Sequence, residues 1–321
     1  MNLFLTCTWL VLSTLAGTAY GQAPAYPSKP VRIIISFPPG GSTDFLARIL
    51  AERLQSGMQQ TVIVENRPGG NSVISAEMVA KASPDGYTLF MAVDSVMSLN
   101  PLLYSKLSYD PERDFIPISH VASQPFFMVA GPRSPVRDLP SLIAYARENP
   151  GKLTYGTSAM LQQLAGEKLK LDSKVDMLHV PFRGSPPMLQ ALLNGEIDFA
   201  ITATTPYATY VKEGRLFGIA TSGGQREMVL PTTPVVREVG FSDLEFGNWN
   251  GLYAPAGTPT IILEKLNAEV RKAMSDPAVS ARLISAGIYP STGTPEQLRS
   301  LRRSDIERWG PVIKAARIKL D

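Results

Sequence analysis

Val31-Arg-Ile-Ile-Ile-Ser-Phe-Pro-Pro-Gly-Gly-Ser-Thr-Asp44 is the stretch that decides how this chain folds. Val31 to Phe37 is short, largely apolar and rich in β-branched residues, the pattern of a buried strand. Pro38, Pro39, Gly40 and Gly41 break it with the residues that a tight, unusual backbone path requires. Ser42, Thr43 and Asp44 then open a helical pattern whose apolar positions are Phe45, Leu46, Ile49, Leu50 and Leu54. A strand, a glycine turn and a helix start bring unpaired backbone N–H groups and the positive end of a helix dipole to one spot. Such a spot favours an anion, to which the Ser42 and Thr43 hydroxyls can add hydrogen bonds. No Gly-Lys-Ser/Thr follows, so this is not a nucleotide phosphate loop. No third glycine has the spacing of a dinucleotide fingerprint. A small carboxylate fits better.

Strand and helix patterns alternate on either side of this unit. Thr61–Glu65 reads as a strand, 73–82 as a helix, the Pro84-Asp-Gly86 segment as a turn and Tyr87–Val93 as a third strand. The proline-punctuated run 100–117 reads as loop and short helix, and Ile118–Ala130 as a long β segment broken at Gln124-Pro125. A second series follows: helix 141–147, strand 153–157, a helix from Ser158 to about Leu171, strand 175–181, helix 187–193, and strands 197–202 and 217–222. The last third is helical, over 262–274, 277–286 and 295–315, with Ile262, Leu266, Val270 and Met274 on one face. These C-terminal helices carry no strand pattern of their own. The expectation is two α/β lobes with parallel crossovers, the tail returning to the first, and a ligand cleft at the carboxyl ends of strands between them.

The chain has 321 residues and a net charge of +3. Residues 1–21 have the features of a secretory signal peptide: an apolar run from Phe4 to Leu15 and small residues at Ala19 and Gly21 for cleavage. That run falls short of the roughly 20 residues a membrane span needs. The chain's one cysteine, Cys7, lies inside it. The part beyond residue 21 therefore offers no disulfide, thiolate nucleophile or cysteine-ligated metal. His120 and His179 are the only histidines, and neither has a partner at zinc-ligand spacing. The diffuse basic excess carries no nucleic-acid signature. No cofactor is expected. The composition describes an exported globular protein.

The chain resembles the solute-binding proteins of tripartite tricarboxylate transporters, the Bug family, over essentially all of residues 22–321. The resemblance rests on Tyr26-Pro-Ser-Lys-Pro-Val-Arg32, Phe37-Pro-Pro-Gly-Gly41 with Asp44, Glu65-Asn-Arg-Pro-Gly69, and Pro84-Asp-Gly-Tyr-Thr-Leu89. Asn149-Pro-Gly-Lys-Leu153, His179-Val-Pro-Phe-Arg-Gly184 and Trp249 through Pro259 complete it. It implies a two-lobed periplasmic binding protein, similar to type II, that closes as a monomer around a small organic carboxylate and hands it to membrane permease subunits. It also implies lobe 1 from residues 22–122 plus 244–321 and lobe 2 from 123–243. The crossings would lie near Val121–Gln124 and Asp243–Phe246.

The resemblance carries over Pro39, Gly40, Gly41, Ser42, Thr43 and Asp44 as ligand contacts. Asp44 would repel a carboxylate at close range, so it is read as ordering the turn by accepting loop N–H groups, or as acting through water. The second-lobe element departs from the family pattern. Tyr155-Gly-Thr-Ser-Ala-Met-Leu-Gln-Gln-Leu-Ala165 has a shortened loop and puts Gln163 where the family has histidine. Thr157, Ser158 and Ala159 still open a helix. Met160 and Leu161 make the site narrower and more apolar, favouring a ligand with an apolar or aromatic body, unless they simply lie under the loop. Asp94 and Ser95 at the end of the third strand, and Thr204 with Thr205 beyond the strand 197–202, are further candidates. Arg183 reads as a solvated loop residue and Trp249 as hinge packing. Two alternatives remain open. A sensor for a signalling partner would share every feature above. A serine hydrolase would use Ser158 with His179, but the Gly-x-Ser-x-Gly elbow is incomplete at Ser158 and at Ser42.

Overall fold

The computed structural model describes residues 26–320, and the expected leader with Cys7 lies outside them. The quoted segment builds the first unit. Strand β1 (Val31–Ile35) runs into helix α1 (Ser42–Met58), and Leu46, Leu50 and Leu54 pack with Ile33 and Ile35 in one buried cluster. Helix α1 stops at Gln59, which takes a left-handed conformation (φ 54°). Strand β2 (Val62–Asn66), helix α2 (Val73–Ala80) and strand β3 (Thr88–Val93) complete a doubly wound unit in which β1 pairs in parallel with both β2 and β3. Helix α3 (Asn100–Leu103) leads to β4 (Phe115–Pro125).

The chain then enters a second sheet. Strand β5 (Phe127–Ala130), helix α4 (Leu139–Glu148), β6 (Thr154–Thr157), α5 (Met160–Ser173), β7 (Leu178–Pro181), α6 (Ser185–Asn194), β8 (Phe199–Thr202), α7 (Thr205–Lys212) and β9 (Phe217–Thr221) follow in order. It returns through β10 (Gly247–Pro255), α8 (Thr260–Met274), α9 (Pro277–Ile284), β11 (Tyr289–Pro290) and α10 (Pro295–Ala316). The first sheet has the order β11-β4-β10-β3-β1-β2 and the second β7-β6-β8-β5-β9.

The two sheets share one plan. In each, a strand (β1 or β6) lies between the two parallel strands that follow it in the chain. In each, the third strand pairs antiparallel with a strand that has crossed over, β10 in the first and β5 in the second. The strand order therefore reverses beside β1 and beside β6, and the helices leaving those strands, α1 and α5, start at these reversal points.

Two expectations change. The break in the long β segment falls at Phe126, because Gln124 and Pro125 still pair with Asn248 and Gly247 of β10. Phe126 instead exchanges hydrogen bonds with Ser222, whose hydroxyl takes the Phe126 N–H at 2.8 Å. The C-terminal third also contributes a strand. Tyr289 and Pro290 pair with β4 at the sheet edge, where a proline costs no ladder bond.

Helix α10 ties the lobes together. Its Leu298 packs in the core beside the first sheet, whereas Trp309, Val312 and Ile313 join the core that holds Tyr155, Leu164 and Phe199 of the second. Trp309 is fully buried and meets Phe246 edge to face at 4.7 Å between ring centres.

Candidate functional site

The turn between β1 and α1 is built as an open cradle. Gly40 sits at φ +90°, in the region that glycine enters without strain. Gly41 caps α1 through its carbonyl, which accepts the Phe45 N–H at 2.9 Å. The amides of Ser42, Thr43 and Asp44 have no carbonyl of their own helix to bond. Asp44 is buried behind the turn. Its carboxylate accepts the Gly40 N–H at 3.0 Å, Asn66 Nδ2 at 2.9 Å and Arg48 Nε at 3.0 Å. The Arg48 bond, helped by Gly40 and Asn66, holds the Asp44 carboxyl down at about 2. Asp44 thus fixes the loop by accepting its N–H. Pro39 is exposed in the turn, and the Thr43 side chain is buried.

The equivalent point in the second lobe is the start of α5. Ala159 is its cap residue and supplies no side-chain bond. Gln162 folds back to accept the Ser158 N–H at 2.9 Å and the Ser158 hydroxyl at 3.2 Å. Thr157 is buried, and its hydroxyl pairs with His179 Nε2 at 2.7 Å. Burial lowers the His179 imidazole from its usual range, against the opposing charge of Glu167. Ser158 and His179 therefore have separate partners in Gln162 and Thr157.

These helix starts line two cavities. The larger, of about 600 Å³, is bounded by Gly40, Gly41, Ser42 and Phe45 from the first lobe and by Ser185, Pro186, Ala203 and Thr205 from the second, with Ala286 and Ile288 at its edge. The smaller, of about 320 Å³, sets Asp94 and Ser95 opposite Ser158, Ala159, Met160 and Leu161. Among the described residues, no lysine or arginine lines either. The two elements that the sequence assigns to one carboxylate thus line two cavities that flank the same β1–α1 turn, whose Phe37 borders the smaller and Gly40 the larger. Met160 is half-buried and Leu161 is 3% exposed, and both touch the second-lobe core while lining the smaller cavity.

Asp94 is 1% exposed. It accepts the Ser95 N–H at 2.5 Å and the Trp249 N–H at 3.2 Å. Asp305 of α10 accepts the Trp249 indole N–H at 2.6 Å and the Ser98 hydroxyl at 3.3 Å. Burial raises both carboxyls, and the Asp305 charge raises Asp94 further. Trp249 is accordingly a buried link between β10 and α10. Thr204, a candidate ligand contact, is 2% exposed and gives its hydroxyl to Glu227, leaving its neighbours Ala203 and Thr205 to line the cavity. Arg183 is exposed.

Ser185 and Pro186 escaped the sequence reading, which started that helix at Pro187. Gly184 (φ +104°) followed by Ser-Pro-Pro marks a helix start, since prolines fit the first turn, where N–H groups lack partners anyway. Among the described residues no group of three or more acidic, histidine or cysteine side chains is placed to hold a metal, and no helix is long and apolar enough to cross a membrane.

Residues 46–318 match the model of the tripartite tricarboxylate transporter family receptor. The protein BugT of Bordetella pertussis is 30% identical, covering 100% of this chain and 99% of its own. Among solved structures, the R. palustris protein Rpa4515 with adipate superposes with a TM-score of 0.81 at 32% identity, over 92% of this chain and 99% of that one. MatC (Rpa3494) from Rhodopseudomonas palustris with bound malate gives 0.76 at 30% identity, over 90% and 100%.

Proposed function

We propose that this chain, which belongs to the tripartite tricarboxylate transporter receptor family, is a monomeric periplasmic receptor that captures a small organic carboxylate between its lobes and delivers it to a membrane permease. One observation carries this. Two helices that leave the reversal points of two like sheets start at the cleft, and among the described residues no cationic side chain lines it. An anion there is held by backbone N–H groups and helix dipoles, aided by the hydroxyls of Ser42 and Ser185. The first anchor is Gly40–Ser42 in the larger cavity and the second is Ser158–Ala159 in the smaller. Met160 and Leu161 beside the second anchor favour an apolar or aromatic body over one crowded with polar groups. In this reading the lobes meet at the two crossings near Val121–Gln124 and Asp243–Phe246. The protein is a carrier and not an enzyme, which agrees with Ser158 and His179 each being paired elsewhere.

The resemblance to proteins solved with adipate and with malate sets the first probes. A thermal-shift screen of residues 22–321 would span C4 to C6 dicarboxylates, citrate, acidic amino acids and aromatic carboxylates. A ligand of the folded state stabilises it by about 2.7 kcal/mol at 100 times its dissociation constant. A rise in melting temperature with one carboxylate class supports the assignment. No rise with any carboxylate overturns it.

A further inference from the structure

Glu227 is a buried acid that the cleft does not use. It lies in the loop after β9 and is 2% exposed. Its Oε1 accepts the hydroxyls of Thr204 at 2.5 Å and Thr221 at 3.0 Å. Its Oε2 is buried, and among the described residues no donor reaches it. Gly287 of the other lobe stands beside Oε2: a Cβ placed on it would lie 3.8 Å away. Gly287 follows α9, whose Val279 and Leu283 pack with the first sheet, whereas Thr204 and Thr221 extend strands of the second. The same seam carries a hydrogen bond from Thr205 Oγ1 to the Ala286 carbonyl at 2.5 Å, and the Tyr289 phenol faces the Met228 backbone.

An opening of the lobes that withdraws residues 286–289 from this seam would admit water to Oε2. Closing them strips that water away and supplies no donor in its place. An ionised carboxylate with a bare buried oxygen is costly, and the neutral acid much less so. We propose that closing the lobes places a proton from solvent on Glu227, so that capture of the ligand is coupled to uptake of one proton. The coupling to capture rests on the receptor function proposed above; the protonation on closure does not.

The surroundings leave Glu227 to titrate alone. Its own loop offers Arg226, which is turned to Glu238 at 2.9 Å. Helix α7 and strand β9 present the neutral hydroxyls of Thr204 and Thr221, and the end of α9 presents Ala286 and Gly287. Strand β11 presents Tyr289, whose phenol burial and the Glu227 charge push up to about 12. Burial raises the Glu227 carboxyl, against the smaller pull of the two threonines. The closed state therefore binds more protons than the open one. From the ordinary glutamate range up to the raised value, the ratio of closed to open molecules falls by up to about tenfold per pH unit.

The test needs no ligand. Residues 22–321 contain no cysteine, so Gln190→Cys on α6 and Glu264→Cys on α8, both exposed, take a donor and an acceptor dye. Transfer efficiency is followed from about pH 5 to about pH 8. The wild type closes on acidification, Glu227→Gln stays closed throughout, and Thr204→Val, which removes a bond that favours the ionised form, closes at a higher pH. A wild type without pH response overturns the proposal, as does a Glu227→Gln protein that keeps the wild-type profile. Should Glu227→Gln fail to fold, an unmoved midpoint in Thr204→Val overturns it equally. A failed carboxylate screen leaves this result standing, so the two proposals fail separately.

Discussion

Asp44 shows how a residue that looks wrong for an anion site can be needed there. Its negative charge is spent on Gly40, Asn66 and Arg48, so it shapes the loop from behind. Replacing it with alanine leaves the Gly40 N–H and Asn66 without their acceptor and should cost about 2 kcal/mol at neutral pH, read by urea unfolding. A variant as stable as the wild type would contradict that role. The pH dependence has a definite sign. A carboxyl held at about 2 in the fold contributes stability above the ordinary aspartate range, and that contribution disappears as pH falls from about 4 through about 2. The role of Asp44 was legible because the turn chemistry and the charge both pointed to it. Thr157 was not legible: at a helix start it reads as a ligand hydroxyl, yet the neighbouring strand delivers His179 to it. Thr157→Val should lose about 1 kcal/mol of stability and keep the thermal response to ligand; loss of that response would return Thr157 to the binding site.

At the scale of elements, helix starts were the readable feature, and what faces them was not. Glycine turns and apolar periodicity placed α1 and α5 closely, because those patterns are local. The partners of each start come from distant segments: Ser185 and Pro186 reach the α1 cavity, and Asp94 and Ser95 reach the α5 cavity. No local pattern encodes such pairings. The link between β10 and α10 is of the same kind, with Trp249 joined to Asp305 across 56 positions of sequence. Two buried carboxyls face each other there, and both are raised. The folded state therefore holds their protons more tightly than the unfolded chain. Stability from this pair is present at low pH and is lost as pH rises through the raised values. Asp305→Asn keeps an oxygen for Trp249 and Ser98 and removes one charge. Its melting temperature should exceed that of the wild type at about pH 8 and converge with it at about pH 4; an equal difference at both pH values would contradict the coupling.

For the whole molecule, the two lobes share a strand plan that no sequence repeat announced. A common topology constrains the order and direction of strands while leaving loop lengths and side chains free, so it is visible only once both sheets are assembled. Helix α10 then makes the lobes one folding unit by giving Leu298 to one core and Trp309 to the other. Trp309→Ala should cost about 3–5 kcal/mol, with one cooperative denaturant transition shifted to lower midpoint. Two separate transitions in the wild type would contradict this bridging role.

The proposed receptor function requires that a carboxylate be held at the starts of α1 and α5 together, one from each lobe. Gly41 lies at φ −81° with its nearest obstacle, the Pro38 carbonyl, 3.9 Å from a Cβ, and Ala159 is exposed, so each accepts a tryptophan that fills its cavity without disturbing the fold. Calorimetric titration of the carboxylate that most stabilises the wild type, into the wild type, Gly41→Trp and Ala159→Trp, measures the claim directly. Binding to the wild type and loss of binding in each variant is the predicted result. Unchanged affinity in either variant would show that its helix start takes no part in holding the ligand.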